Sequence, residues 1–409
     1  MSARHLIKWF VWGLLCLGTY VGYAEPLPKD EAQAKHYTYD YLFMIDALIR
    51  HEKYDRAKLE LDALLERVRG NQEDTALARQ AYGYLHIGLN DFPRAIDDFF
   101  AALGAGTLPE AVALNLRYTL AQLLYGEARY REGLEQLDTW KNKTPSIPPE
   151  AEVLTGRFQY ALQAWQAAYD ALQRAISKSS QPQESWYQMW VGICFERNWL
   201  KRSIHILRQM LERFPERREY WQQLANVYLQ LDQVSRAVSV LILADQRDLL
   251  DQEGLLRLAR MMMQNQTPYD TARLMTSWFD QGKLTQTAEH LELLADAWLL
   301  AREPQQALTV LQRQGRVDRS GKAQLRAGKI LFEQERWQEA AEQLASGLKL
   351  SKPDKFEDWL LLGNAHYRLQ HWDDARSAIE SALELARDER QRTLARDWLD
   401  YLKARAAYP

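Results

Sequence analysis

Apolar side chains along this chain return at three- and four-residue spacing, the mark of amphipathic helices, and the stretches they define come in pairs. Near the C-terminus Trp359, Leu362, Gly363, Ala375, Ile379 and Ala382 stand at positions 4, 7, 8, 20, 24 and 27 of a unit about 34 residues long. Trp221, Leu224, Ala225, Tyr228, Ala237, Leu241 and Ala244 repeat the pattern upstream, as do Gly83, Ala95, Phe99 and Ala102, and Gly156, Ala168, Leu172 and Ala175. Position 8 falls in turn on Ile45, Gly83, Ala121, Gly156, Val191, Ala225, Ala259, Ala295, Gly328 and Gly363, in steps of 33 to 38 residues. Ten matches in one register predict ten helix pairs. Runs of β-branched residues bounded by turn residues are missing, so the expected class is all-α.

The residue types follow from packing. Small side chains at position 8 are expected to face position 20 of the second helix and let the two helices approach. Larger residues at 4, 7, 11 and 24 fill the layer between neighbours. One pair cannot bury its apolar face alone, so successive pairs must stack. Pro145 and Pro215 both fall at position 32, where a residue that cannot continue a helix marks the joint to the next pair. The offsets resemble those of the tetratricopeptide repeat. That resemblance implies a right-handed α-solenoid of about ten helix pairs over residues 37–388, closed by a C-terminal capping helix over 389–409.

Three places depart from the pattern. The unit from about 38 to 71 lacks Gly at position 8. The unit around Ala259 reads as carrying one extra residue, with Ala272 where Thr271 should stand beside Pro268. The stretch Gly315–Ser320 is polar and reads as a flexible seam.

The N-terminal 24 residues differ in kind. Arg4 and Lys8 precede the apolar stretch Trp9–Leu17, and Gly22 and Ala24 are small residues at −3 and −1 of a cut before Glu25. This is the three-part pattern of a secretory signal peptide, with residues 25–36 as a linker to the repeats. It predicts a periplasmic protein, or one anchored to the inner membrane if the segment is retained. Leu15 before Cys16 does not suit a lipid-attachment motif. Cleavage would leave Cys194 as the one remaining cysteine, too few for an internal disulfide, and its place in the register makes it a core residue.

Composition narrows the function. Apolar residues make up 47% and charged residues 26%, and the formal charge is −3. Losing residues 1–24 removes Arg4 and Lys8 and no acid, leaving −5. A mildly acidic chain with interspersed signs lacks the basic patch of a nucleic-acid binder. The eight histidines show no His-Glu-x-x-His pair and no Cys–His spacing suited to zinc. No Gly-rich phosphate loop or Gly-x-Ser-x-Gly elbow appears. The acidic residues read as solvated helix faces, His366 as a packed residue, Met261, Met262 and Met263 as filler, and Trp186, Trp190, Trp221, Trp298, Trp337, Trp359 and Trp372 as repeat layers. No enzyme, metal or cofactor is expected.

A stacked array presents a long face for partners. Positions 2, 5, 9 and 12 of each first helix are expected to line it. They supply Tyr118, Gln122 and Tyr125, then Arg157 and Tyr160, Gln188 and Phe195, Gln222 and Asn226, and Arg260 and Met263. Amides can bond a peptide backbone, and aromatic rings give rigid contact area. A carboxylate clamp of Lys and Asn at positions 5 and 9 is not present, since Gln222 and Leu360 precede Asn226 and Asn364.

Several segments also resemble the periplasmic tetratricopeptide proteins encoded with proteobacterial TonB systems. They are YTYDYL (37–42), TLPEAVALNLRYTLAQLLY (107–125), ESWYQMW (184–190), EYWQQLANVYLQL (219–231), HLELLADAW (290–298), ERWQEAAEQL (335–344) and LARDWLDYLKA (394–404). The resemblance implies an accessory role in TonB-dependent uptake of iron–siderophore complexes or haem, with TonB or ExbB/ExbD-type proteins as partners. It carries no catalytic residue over. An adaptor for envelope assembly or polysaccharide export, or a self-associating spacer, would use the same architecture.

Overall fold

The computed structural model describes residues 29–351 and 356–407. The expected signal peptide lies outside them. Among the described residues there are 21 α-helices and no strand. The first four pairs are α1 (Lys29–Arg50) with α2 (Tyr54–Arg67), α3 (Gln72–Gly88) with α4 (Phe92–Gly104), α5 (Glu110–Gly126) with α6 (Tyr130–Lys143), and α7 (Pro149–Ala161) with α8 (Trp165–Lys178). Next come α9 (Glu184–Glu196) with α10 (Leu200–Arg213), α11 (Arg218–Gln230) with α12 (Val234–Asp245), and α13 (Gln252–Gln264) with α14 (Pro268–Asp280). The last pairs are α15 (Ala288–Leu300) with α16 (Pro304–Val317), α17 (Lys322–Glu333) with α18 (Trp337–Leu350), and α19 (Phe356–Arg368) with α20 (Trp372–Glu384), followed by α21 (Glu389–Ala407). Helix α1 begins inside the stretch expected to be a linker, at Lys29. The chain divides into two compact units between Ile206 and Leu207, within α10.

One turn joins the helices of every pair. Position 15 is left-handed in all ten, with φ between 54° and 63°, at Glu52, Asn90, Ala128, Gln163, Asn198, Asp232, Gln266, Arg302, Glu335 and Gln370. The next residue's N–H donates back to the carbonyl of position 11, as from Asp91 to His86 (2.8 Å) and from Trp199 to Cys194 (2.7 Å). This bond pattern satisfies carbonyls that the helix end would otherwise leave open. The second helix then starts at position 17 in every pair.

That constancy corrects one expectation. Helix α14 starts at Pro268, so Thr271 occupies position 20 with no insertion. Its side chain is fully buried, and its hydroxyl donates to the Thr267 carbonyl (2.8 Å), so a polar residue is tolerated where alanine is usual. A second expectation changes in detail. A Cβ at the position-8 glycines would first meet the side chain of position 24: Phe99 for Gly83, Leu172 for Gly156, Leu344 for Gly328 and Ile379 for Gly363. The position-20 carbonyl is the next neighbour, at 3.5 Å for Gly156 and 3.3 Å for Gly363. In the third pair position 20 is Gly133, which looks toward the following pair as well. A Cβ on Gly133 would meet Phe158 of α7 at 2.4 Å and Leu124 at 3.2 Å.

In the first unit Phe99 of α4 packs with Leu116, Leu120 and Leu124 of α5, and Leu137 of α6 with Phe158 of α7. In the second, Leu344 and Leu348 of α18 meet Leu362 and Ala365 of α19. Helix α21 seats Ala395 and Leu402 with Ile379 and Ala382, closing the C-terminal end. Each fully buried leucine or phenylalanine contributes roughly 1.5–3 kcal/mol. Of the polar stretch Gly315–Ser320, residues 315–317 belong to the end of α16, and the rest is a hydrogen-bonded turn in which Asp318 accepts from the Ser320 amide and hydroxyl. Left-handed Gly321 then fits against the Gly347 carbonyl, where no Cβ has room.

Candidate functional site

The first unit gathers the expected face from α5, α7 and α9. Tyr118 is half-buried, its ring 4.7 Å from that of Trp140. Burial pushes its phenol up to about 12, with the Glu150 charge adding to this and the Gln122 hydrogen bond and the Arg157 charge opposing it. Tyr125 sets its ring against the edge of Phe158 at 5.3 Å and lies 5.6 Å from Tyr130; it too feels Arg157. Tyr118, Gln122, Tyr125 and Arg157 thus form one neighbourhood. One turn on, Tyr160 stands edge-on to Trp165 at 5.1 Å and keeps 38% of its surface exposed. On α9, Gln188 and Phe195 are exposed. Packed tyrosine rings, an exposed guanidinium and amides thus share the faces of α5, α7 and α9.

The same register reaches one pair further back than the sequence reading took it. Tyr84 of α3, at position 9, is raised by burial and hydrogen-bonded by Gln80 and Thr119, with its ring 5.2 Å from Phe99. Position alone could have found it.

The second unit is different. Asn226 of α11 accepts from Arg257 of α13, and Arg260 pairs with Glu289 of α15 (3.1 Å). Gln222 is half-buried. Met263 is half-buried beside Met261 and Met262, both of them core residues. Here the expected residues tie neighbouring pairs to one another.

The acidic residues are not all on solvated faces. Asp74, Asp98, Glu152, Asp245 and Asp358 are buried. Glu152 has a side chain only 3% exposed and receives Lys141 (3.1 Å), Arg174 (3.3 Å) and Lys178 (3.1 Å). Asp98 is met by Arg79 (3.0 Å) and His86 (2.8 Å), and Asp245 accepts from the Trp278 indole (2.8 Å). A helical pattern read one helix at a time cannot show cations arriving from the neighbouring helices. Cys194 is fully buried, as its register implied, and burial pushes its thiol up to about 11. At this value it stays a thiol and not a nucleophilic thiolate.

His366, His371 and Asp374 are the one group among the described residues whose ligand atoms stand close enough to hold a metal, within 4.8 Å of one another. Burial holds the His366 imidazole below its ordinary value; Asp374 pulls it up and His371 pushes it down. The ligands are five and three residues apart across a helix–helix turn, a spacing outside the metal motifs sought in the sequence.

Residues 325–390 match the family model described as tetratricopeptide repeat. Those residues run from α17 to the start of α21, and the remaining pairs share their turn and register. The chain folds as a tetratricopeptide-repeat solenoid. No curated protein matches it. Similar solved structures include YrrB, a tetratricopeptide protein with an unusual peptide-binding site, at 15% identity, covering 47% of this chain and 97% of that one with a TM-score of 0.36. The TPR2AB domain of yeast Sti1 in complex with pHSP90 is 12% identical, covering 63% of this chain and 98% of that one, with a TM-score of 0.32. A tetratricopeptide protein from Parabacteroides merdae is 12% identical, covering 71% and 98%, with a TM-score of 0.31.

Proposed function

We propose that this tetratricopeptide array is a non-catalytic periplasmic scaffold that holds an extended segment of a protein partner on the strip formed by Tyr118, Gln122, Tyr125, Arg157 and Tyr160. The observation that carries the reading is the junction of three tyrosines, an amide and an exposed guanidinium on adjacent first helices. The rings are already held by packing against Trp140, Phe158 and Trp165, so little side-chain freedom is lost on binding. Gln122 and Arg157 supply donors to peptide carbonyls or to an acidic side chain.

The partner we favour is TonB or an ExbB/ExbD-type component of a TonB-dependent uptake system for iron–siderophore complexes or haem. This rests on the segmental resemblance described above, such as ESWYQMW and HLELLADAW, and on the N-terminal export pattern. A photoreactive residue at Tyr160, with one at Asn226 as the comparison in the second unit, would be crosslinked in iron-starved cells. Recovery of TonB or an ExbB/ExbD-type protein at Tyr160, lost when Tyr118 and Arg157 are changed to alanine, supports the reading. Recovery of assembly or export factors alone rejects the TonB partner. Crosslinking unaffected by those alanines rejects the strip.

A further inference from the structure

We propose that the turn of the tenth helix pair is a binding site for a divalent transition-metal ion of the zinc class, with His366, His371 and Asp374 as ligands. Two imidazoles and one carboxylate are a donor set that zinc accepts, with a fourth position left for water or for a group from a partner. The ligand atoms lie within 4.8 Å of one another. Bonds of about 2.1 Å in tetrahedral geometry need separations of roughly 3.4 Å, so small side-chain rotations close the site.

The backbone beneath the three residues is fixed. His366 lies in the last turn of α19, His371 directly precedes α20, and Asp374 is in the first turn of α20. The His371 amide donates to the His366 carbonyl (3.0 Å) across left-handed Gln370. Ligands on two rigid helix ends are held better than ligands on a loop. The side chains are also uncommitted in the way a metal site requires. His366 Nδ1 is buried with no hydrogen-bond partner, an uncommon state for a buried polar atom. The imidazole of His371 makes no capping bond to α20. His371 and Asp374 are exposed, which gives an ion a way in and leaves the fourth position facing solvent. The site is in the second unit and is independent of the aromatic strip.

The full chain, stripped with chelator, would be titrated with zinc chloride by calorimetry and with cobalt(II) by visible absorption. Saturable one-to-one uptake is expected, together with cobalt bands of four- or five-coordinate geometry and a zinc-dependent rise in the melting midpoint. His371→Ala and Asp374→Asn should each weaken zinc binding roughly tenfold or more, while His51→Ala leaves it unchanged. Unsaturable uptake, or equal affinity in parent, His371→Ala and Asp374→Asn, overturns the proposal. Melting of both variants without metal separates loss of a ligand from loss of fold. If His371→Ala melts early, Asp374→Asn decides.

Discussion

The Cα of Gly83 faces the ring of Phe99 so closely that a Cβ on it would stand 2.1 Å from Cε1. Phe99 is fully buried and packed with Leu116 and Leu120, so the ring has nowhere to retreat. Gly83→Ala should therefore lower stability by about 1–3 kcal/mol through overpacking, and Phe99→Leu in the same chain should recover part of the loss. Gly192 is the contrast. It lies inside α9 with nothing within 4 Å of its Cβ site, and Gly192→Ala should raise stability by ~0.5–1 kcal/mol from helix propensity. Denaturant midpoints of the single variants and the Gly83/Phe99 pair check this. An unchanged midpoint for Gly83→Ala would contradict the close approach.

Ala128 adopts φ 59° at the turn between α5 and α6, and it is exposed there. A left-handed alanine is costly, and glycine is not. Ala128→Gly should stabilise the third pair by about 0.5–1 kcal/mol, and Ala128→Val should destabilise it by at least as much. Amide exchange of α5 and α6 is the direct readout, because stability in a stacked array is partly local to each pair. Slower exchange in the valine variant would contradict the prediction.

The register shows why the fold was legible and the site less so. Small residues recur at positions 8 and 20 because the helices approach closely there, and their repetition at nearly constant spacing is readable without knowing any neighbour, although Ile45 and Val191 stand at position 8 in two units. Thr271 misled because a polar residue stood where alanine was expected, and only its bond to the Thr267 carbonyl reveals that it fits. The left-handed turn left only a faint trace in residue type, since none of its ten positions is glycine and only Asn90, Asn198 and Asp232 are of the types that favour this conformation. Tyr118, Tyr125 and Arg157 were found by position, and the structure brings them together. Asn226 and Arg260 were found the same way, yet their partners are Arg257 and Glu289 on adjacent helices. Interactions between pairs decide such cases, and a single-helix pattern does not contain them. The same holds for His366, His371 and Asp374, which two helices assemble.

Glu152 is the group whose chemistry gives the clearest pH signature. Burial raises its carboxyl, but Lys178, Lys141 and Arg174 outweigh this, so its folded pKa lies below the ordinary glutamate value. A depressed carboxylate contributes stability that is present above its unfolded pKa and is lost as pH falls through the folded one. At neutral pH Glu152→Gln should cost about 2–3 kcal/mol, because it removes charge-assisted bonds and leaves Lys141, only 15% exposed, without its counter-charge. Toward acid the difference between parent and variant should shrink, since the parent's carboxylate is then protonated as well. Arg174→Met and Lys178→Met each remove a cation that is nearly half exposed and should cost no more than ~1 kcal/mol. Urea unfolding from pH 7 down to pH 3, with Lys141→Met/Glu152→Gln as the double variant, tests the network as a whole. The double variant should be more stable than Glu152→Gln alone, because the stranded ammonium is gone. A pH-independent cost for Glu152→Gln would show that the residue acts through its shape and not its charge.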